Sequence, residues 1–325
     1  MRIFALQLLM LMFVSTSVMA IDERDYPYPV NAFTFESQQQ TLTMEYMDVQ
    51  PDAPAKGVMM LLHGKNFTGA YWQQTIDYLV EQGYRVVVPD QVGFGLSSLP
   101  RYYQFSFAQL AANSKALLEH LKIEAVTVMG HSMGGMLATR FALQYPDNTL
   151  QLLLLNPIGL EDWRAMGVPY VSIDTLYNNE RKKSFGDIKT YQQDNYYAGR
   201  WNNEYARWAQ LLASSYQSKQ GDRFAWNMAL TADMVLTQPV IYEFDQLSVP
   251  TTLFIGTRDR TAIGRNLVNK QTADKMGDYT QLGKAVAALI PDATLVEFDD
   301  IGHMPHIEAP ERFFEALDGA LNSPQ

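Results

Sequence analysis

The chain has 325 residues, of which 47% are apolar and 18% are charged, and its formal net charge is −10 at pH 7. This length allows one large α/β domain with an insertion, and the apolar share excludes a disordered chain. An acidic chain has no electrostatic reason to bind DNA, RNA or anionic lipid, so we expect no nucleic-acid partner. The absence of cysteine excludes disulfides, thiolate nucleophiles and cysteine-ligated metal sites.

The first twenty residues have the pattern of an export signal. Arg2 precedes an apolar run from Ile3 to Val14, and small residues follow up to Ala20. We therefore predict a signal peptide over residues 1–20, cleaved near Ile21, and a periplasmic or secreted location. The alternative is a retained anchor, although the run is shorter than the roughly 20 apolar residues of a membrane span. No later stretch is long enough, so we expect no stable membrane insertion of the mature chain.

Apolar runs and amphipathic stretches alternate along most of the remaining chain. Two alternating segments near Ala32–Glu36 and Thr41–Met47 predict antiparallel edge strands. Continuous apolar runs predict strands buried on both faces of a parallel sheet at Val58–Leu62, Tyr84–Pro89, Ala125–Met129, Leu150–Leu155, Thr251–Ile255 and Ala293–Phe298. Helical periodicity predicts helices over Trp72–Glu81, Ser106–Leu121, Met133–Gln144, Leu282–Ile290 and Pro310–Leu321. The alternation indicates a doubly wound, mostly parallel sheet.

The pattern changes over residues 161–244. This segment is rich in Tyr, Trp, Asn and Gln, and it lacks the apolar runs of buried strands. We interpret it as a mainly helical insertion, which divides the α/β core into residues 21–160 and 245–325. Its aromatic side chains suggest either an apolar or aromatic ligand or simple packing within the insertion.

The sequence Gly130-His131-Ser132-Met133-Gly134 matches the G-x-S-x-G pattern of a nucleophile elbow. It lies between a predicted strand and a predicted helix, which is the context that an elbow requires. We therefore predict that Ser132 is a nucleophile. The alternative is a glycine-rich turn in which the serine only caps the helix.

A serine hydroxyl needs a base, and the chain offers five histidines. We predict that His303 is the base, because it follows the last strand and can return to the edge of the sheet where the elbow lies. The chain order of serine, aspartate and histidine supports this choice. His306, three residues further on, is the rival. His63 is expected to be a structural hydrogen-bonding residue.

The base needs a carboxylate that orients it, and Asp259 follows the strand at Thr251–Ile255. Asp299 and Asp300 compete for this role, but they lie directly after the last strand. The alternative for Asp259 is a loop residue paired with Arg258 or Arg260.

The tetrahedral intermediate of acyl transfer needs two backbone donors. We predict the N–H groups of Met133 and Lys65, with the N–H of Asn66 as the next choice, because these residues follow the elbow serine and the strand at Val58–Leu62. Asn66, Phe67 and His131 are predicted to contact the substrate.

These residues resemble the α/β-hydrolase superfamily, in its cap-bearing serine hydrolase branch. The matching pieces are His63-Gly64, Asp90 to Ser97, the Gly130–Gly135 elbow, Gly256 to Asp259, and Gly302-His303 with Pro310, spread over about residues 57–315. The resemblance implies an eight-stranded sheet with a helical cap inserted after the sixth strand. One departure is Gln91, where relatives often have arginine, and it is expected to alter the pocket mouth.

The leading hypothesis is a hydrolase that cleaves an ester or related acyl bond of a small apolar or aromatic substrate through an acyl-enzyme, without a metal or cofactor. The same triad would also serve a carbon–carbon bond hydrolase, an aminopeptidase or a cofactor-free haloperoxidase. A catalytically silent binding module is the non-enzyme alternative. A nucleotide-dependent enzyme is set aside, because the glycine spacing is not G-x-G-x-x-G.

Overall fold

A computed structural model describes residues 21–322 of the chain. The signal peptide expected over residues 1–20 lies outside these residues and stays a prediction. Among residues 21–322, no helix combines the length and the apolar character needed to cross a membrane.

Eight strands form one sheet in the described chain. They are β1 (Val30–Ser37), β2 (Gln40–Val49), β3 (Val58–Leu62), β4 (Arg85–Pro89), β5 (Val126–His131), β6 (Thr149–Leu155), β7 (Thr251–Gly256) and β8 (Ala293–Phe298). Their order is β1-β2-β4-β3-β5-β6-β7-β8. The pairs β1–β2 and β2–β4 are antiparallel, and the other pairs are parallel. The predicted doubly wound, mostly parallel sheet is therefore confirmed.

Helices cover both faces of the sheet. Those of the core are α1 (Gln73–Glu81), α2 (Phe107–His120), α3 (Met133–Gln144), α8 (Lys270–Ala273), α9 (Tyr279–Ala287), α10 (Pro305–Glu308) and α11 (Pro310–Leu321). Successive residues of β6 point to opposite faces, as strand geometry requires. Leu152 and Leu154 pack in one apolar cluster with α2, α3 and α9. Leu153 and Leu155 pack in the other cluster with α1, α10 and α11.

One predicted helix is displaced in the sequence. We expected Leu282–Ile290, but α9 begins at Tyr279 and ends at Ala287. The side chain of Asp278 accepts a hydrogen bond from the Thr280 N–H and caps the helix, so the first turn forms before the apolar pattern begins.

Four helices lie between β6 and β7. They are α4 (Ile173–Glu180), α5 (Phe185–Asn195), α6 (Asn203–Gln217) and α7 (Gly221–Thr237). Three of these helices begin at a polar N-cap residue. The side chains of Ser172, Ser184 and Asn202 each accept a hydrogen bond from a backbone N–H in the first turn of the helix that follows. This is the expected helical cap after the sixth strand, and residues 161 and 244 remain our proposed limits for it.

Candidate active site

The backbone turns sharply at Ser132, between β5 and α3. Ser132 has φ 57° and ψ −121°, a conformation that side-chain-bearing residues rarely adopt. Its side chain makes no capping bond to the helix, so it is not the capping serine of the alternative reading. The turn needs small residues, since a Cβ at Gly134 would lie 2.1 Å from the Leu62 carbonyl oxygen. The sequence thus places the Ser132 hydroxyl at the carboxyl edge of the sheet.

The structure brings His303 and Asp259 together at the same edge. The Nδ1–H of His303 donates to Asp259 Oδ2 over 2.5 Å, and both side chains are fully buried. Asp259 also accepts bonds from the Thr261 N–H (2.7 Å) and from the Asn156 amide (3.0 Å). Three donors therefore hold the carboxylate in one orientation towards the imidazole.

The other ring nitrogen of His303 has no partner. His303 Nε2 is buried without a hydrogen bond to any described residue, and none joins it to Ser132 Oγ. Catalytic hydrogen bonds are often long in free enzymes and shorten when substrate binds. The geometry leaves Nε2 free to accept a proton.

The competing residues lie elsewhere. His306 is buried against the Trp72 ring at 4.8 Å, and burial followed by the charge of His303 lowers its pKa to about 3. Asp300 is largely exposed and pairs with Arg258. Asp299 is exposed as well. None of these three residues takes part in the bond between His303 and Asp259.

His131, which we expected to contact substrate, instead links the loops of the site. The Tyr71 hydroxyl donates to His131 Nδ1 (3.0 Å) and accepts the Gly64 N–H (3.3 Å). His131 Nε2–H donates to the His303 carbonyl oxygen over 2.9 Å. Burial and the neighbouring histidine His303 lower its pKa well below 6.5, so the ring is neutral. The ring is fully buried, which corrects the prediction.

Two backbone donors remain available near Ser132. Neither the Met133 N–H nor the Lys65 N–H has an acceptor among residues 21–322. The loop after β3 approaches the elbow closely, because a Cβ at Gly64 would lie 3.1 Å from Ser132 Cβ. The two N–H groups that we predicted to bind an oxyanion thus have no other acceptor in the described chain, and the segments that carry them approach each other at Ser132.

The other predicted contacts divide into two groups. Asn66 lines the cavity beside Ser132 and donates to the Tyr196 hydroxyl over 2.8 Å. Phe67 is buried and stacks on Tyr71 with ring centroids 4.6 Å apart. Its ring belongs to the core beneath the loop rather than to the cavity, so the prediction was wrong for Phe67.

His63 and Gln91 have structural positions. His63 Nδ1–H donates to the Gly64 carbonyl oxygen, and His63 Nε2 accepts the Gln91 N–H, each over 3.0 Å. The Gln91 side chain is fully buried and donates to Ser114 Oγ over 3.3 Å. The expectation that Gln91 shapes the pocket mouth was therefore wrong.

Asn156 is a site residue that the sequence reasoning missed. It directly follows β6, has φ 35°, and is fully buried. Its oxygen accepts the Gly256 N–H over 2.8 Å, while its amide donates to Asp259. The sequence did offer one signal. Asparagine tolerates positive φ, and this asparagine directly follows the strand next to β7, which leads to Asp259.

A cavity of about 580 Å³ lies between the sheet edge and the cap. Ser132 lines it on the core side. Its apolar wall consists of Ile158, Leu176, Ile188, Leu212, Ala232 and Ile263. Such a volume and lining are typical of pockets for small organic ligands.

Tyr196 connects the cap to the loop that carries His303. Its ring stacks on the imidazole with centroids 4.4 Å apart, and its carbonyl oxygen accepts the His303 N–H over 2.9 Å. A Cβ at Gly302 would lie 1.8 Å from that carbonyl oxygen, so only glycine allows the approach.

A partly buried ion pair also joins the two sides. Lys65 Nζ lies 3.3 Å from Glu180 at the end of α4, and Glu180 also pairs with Lys183 and with the Tyr216 hydroxyl. Burial lowers the pKa of Lys65 to about 8, although the charge of Glu180 opposes the shift. Burial would raise the pKa of Glu180, but the charges of Lys65 and Lys183 outweigh it and lower this pKa to about 2.

No metal centre is evident in the part of the chain that the structure describes. Within residues 21–322, no three His, Asp or Glu side chains are grouped so that they could hold an ion.

Comparison with known proteins bears on the family. The model of the alpha/beta hydrolase fold family matches residues 57–310. A crystal structure from Pseudomonas aeruginosa, described as a probable hydrolytic enzyme, is 51% identical and has a TM-score of 0.92, covering 95% of this chain and 100% of that chain.

Two curated relatives are more distant. The 2-hydroxy-6-oxononadienedioate/2-hydroxy-6-oxononatrienedioate hydrolase of Comamonas testosteroni is 28% identical over 55% of this chain and 67% of its own length. Human protein ABHD8 is 33% identical over 113 residues, which are 34% of this chain. The match spans only 26% of ABHD8.

Proposed function

This chain belongs to the α/β-hydrolase fold family, and we propose that it is a serine hydrolase that cleaves an ester or related acyl bond through an acyl-enzyme. The observation that carries the proposal is the buried 2.5 Å bond between His303 and Asp259, at the sheet edge where Ser132 occupies a strained turn. The apolar cavity beside Ser132 supports a small apolar or aromatic substrate.

The proposed reaction has two halves, formation of the acyl-enzyme and its hydrolysis, and the same catalytic groups act in both. Ser132 Oγ attacks the carbonyl carbon while His303 Nε2 takes the hydroxyl proton, and Asp259 stabilises the imidazolium that forms. The N–H groups of Met133 and Lys65 bind the oxyanion. The proton then passes to the leaving group, and a water molecule, deprotonated by His303, releases the acid and regenerates Ser132.

The test is Ser132→Ala, assayed on a chromogenic short-chain ester and by labelling with a fluorophosphonate. We expect kcat to fall by roughly five to six orders of magnitude, as in other serine hydrolases whose nucleophile is removed, and labelling to disappear. Ser37→Ala, at the end of edge strand β1, is the matched control and should keep both. Labelling of folded Ser132→Ala would refute the assignment, and folded wild type that resists the probe would favour a silent binding module.

A carbon–carbon bond hydrolase is the second candidate, because the Comamonas testosteroni relative is named as the hydrolase of 2-hydroxy-6-oxononadienedioate, a keto acid whose name contains no ester or amide. Both candidates use the same three residues in our proposal. Turnover of a ring-cleavage ketone by wild type, at a kcat/KM above that for short esters, would favour this second candidate.

A further inference from the structure

The wall of the cavity holds polar atoms that have no hydrogen-bond partner in the described chain. They are both amide atoms of Gln192, the Thr261 hydroxyl and Arg265 Nε. All three residues line the cavity that contains Ser132. A buried polar atom without a partner is costly, so a cluster of them around a single cavity indicates the place of a ligand.

The three side chains reach the cavity from both the cap and the core. Gln192 is fully buried on α5, whose face at Ile188, Tyr191, Gln192 and Asn195 lines the cavity at helical spacing. Thr261 and Arg265 lie in the loop after Asp259. The Thr261 N–H donates to the Asp259 carboxylate over 2.7 Å, so Thr261 adjoins the proposed triad.

The residues that line the cavity carry a small excess of positive charge. The cavity lining contains three cations (Lys65, Lys183 and Arg265) and two carboxylates (Glu180 and Asp187), which gives a local charge of +1 in a chain of net charge −10.

The Arg265 guanidinium has no ion pair within 4 Å among residues 21–322. The guanidinium is held in place at one nitrogen, because Arg265 Nη2–H donates to the Met276 carbonyl oxygen over 2.6 Å. The nearby Glu161 instead accepts bonds from the Gly277 N–H and the Trp163 indole. The charge of Arg265 is therefore available to a ligand.

We propose that Gln192, Thr261 and Arg265 form a subsite for a carboxylate that the substrate carries away from the bond that is cut. This inference rests on the proposed serine hydrolase function and narrows its substrate class. A carboxylate is acceptor-only, and each of the three side chains offers at least one donor. The apolar wall of the cavity would hold the chain between the carboxylate and the scissile bond.

The test uses two matched pairs of substrates. The first compares mono-(4-nitrophenyl) adipate with 4-nitrophenyl hexanoate, which places the carboxylate on the acyl side. The second compares 6-acetoxyhexanoate with hexyl acetate, which places it on the alcohol side. In at least one pair, Arg265→Met should lower kcat/KM for the charged substrate by roughly 10-fold to 100-fold, which is the range expected for one charge-assisted hydrogen bond. The kcat/KM for the neutral substrate of that pair should stay nearly unchanged.

Three further variants sharpen the result. Gln192→Leu should show the same selective loss at smaller size, and Arg265→Lys should recover part of the activity on the charged substrate. Lys270→Gln, on α8 and paired with the exposed Asp274, is the control and should alter neither pair. Equal losses on both members of each pair, or no losses at all, would overturn the subsite.

A further substrate separates the effect of charge from that of hydrogen bonding. It is the adipate ester with its free carboxyl group converted to a neutral amide. If Arg265→Met slows this amide as much as the acid, the group bound is a neutral carbonyl and the carboxylate assignment is wrong. Failure of the subsite is distinguishable from failure of the enzyme, because hexanoate hydrolysis and fluorophosphonate labelling of wild type test the serine chemistry separately.

Discussion

The two walls of the cavity are held together by different kinds of contact. On the core side, short buried side chains bond to each other and to main chain, as between His303, Asp259 and Asn156. On the cap side, long side chains reach across a gap, as in the ion pair of Lys65 and Glu180. Short, fully buried contacts fix geometry, whereas long side chains lose more conformational freedom on ordering and hold it less tightly.

This difference assigns separate tasks to the two walls. The core wall should determine whether the chemistry occurs, because it orients the proposed base and nucleophile. The cap wall should determine what binds and how stable the closed form is. Substitutions in the two walls should therefore affect different measured quantities.

The largest effect is expected from Asp259→Asn. The amide preserves shape but removes the charge that stabilises the imidazolium, so kcat should fall by roughly 10⁴-fold with little change in KM. The measurement is steady-state kinetics on a short ester, with Asp300→Asn as the exposed control. A loss below tenfold would mean that the core wall does not control the chemistry.

Glu180→Gln should act on stability instead. It leaves Lys65 partly buried beside Lys183 without a counter-charge. The cost should be about 2–3 kcal/mol, below that of a fully buried pair because the two side chains keep 12% and 8% exposure. Thermal denaturation should show a Tm lower by several degrees, with kcat on a short ester nearly unchanged.

The matched control for this change is Glu119→Gln, which breaks the more exposed pair with Lys115 on the core helix α2. Its effect should stay within about 0.5 kcal/mol. If Glu180→Gln reduced kcat as strongly as Asp259→Asn, the proposed separation of tasks would fail.

The last prediction concerns pH. Burial raises the pKa of Glu308 to about 7 from 4.5, although the N–H groups of Met304 and Gly302 donate to it and oppose the shift. The folded protein then binds this proton more tightly than the unfolded chain. The resulting stability is complete below pH 4.5 and disappears as the pH rises through about 7.

Glu308→Gln keeps an acceptor oxygen but cannot ionise. The decrease in Tm between pH 5 and pH 8 should therefore be smaller in this variant than in wild type. Glu311→Gln, three residues further on at the start of α11 and exposed, is the control and should behave as wild type. An identical pH dependence in all three proteins would contradict the prediction.

The core wall was largely predictable from the sequence. Motifs at strand ends specify both residue type and position, so Ser132, Asp259 and His303 could be predicted. The structure places His303 and Asp259 in contact. The roles of His131 and Phe67 could not be read, because they depend on side-chain direction after packing. Asn156 was missed because a single asparagine after a strand has many ordinary explanations.

The cap wall was predicted only as a helical insertion. Its aromatic and amide-rich sequence does not specify which residues face the core, since those contacts join segments more than a hundred positions apart, as for Asn66 and Tyr196. The proposed carboxylate subsite could not be predicted from the sequence for the same reason. Gln192 on α5 and Arg265 in the loop after β7 are far apart in the sequence, and only the fold places both in the lining of one cavity.

The bond from His303 to the cap uses the main-chain carbonyl of Tyr196. Every amino acid offers that same carbonyl, whereas the ring of Tyr196 is particular to this sequence. The cap side chains can therefore differ without loss of the main-chain bond that holds the His303 loop. This bond does require glycine at position 302, because any larger residue there would displace the Tyr196 carbonyl group.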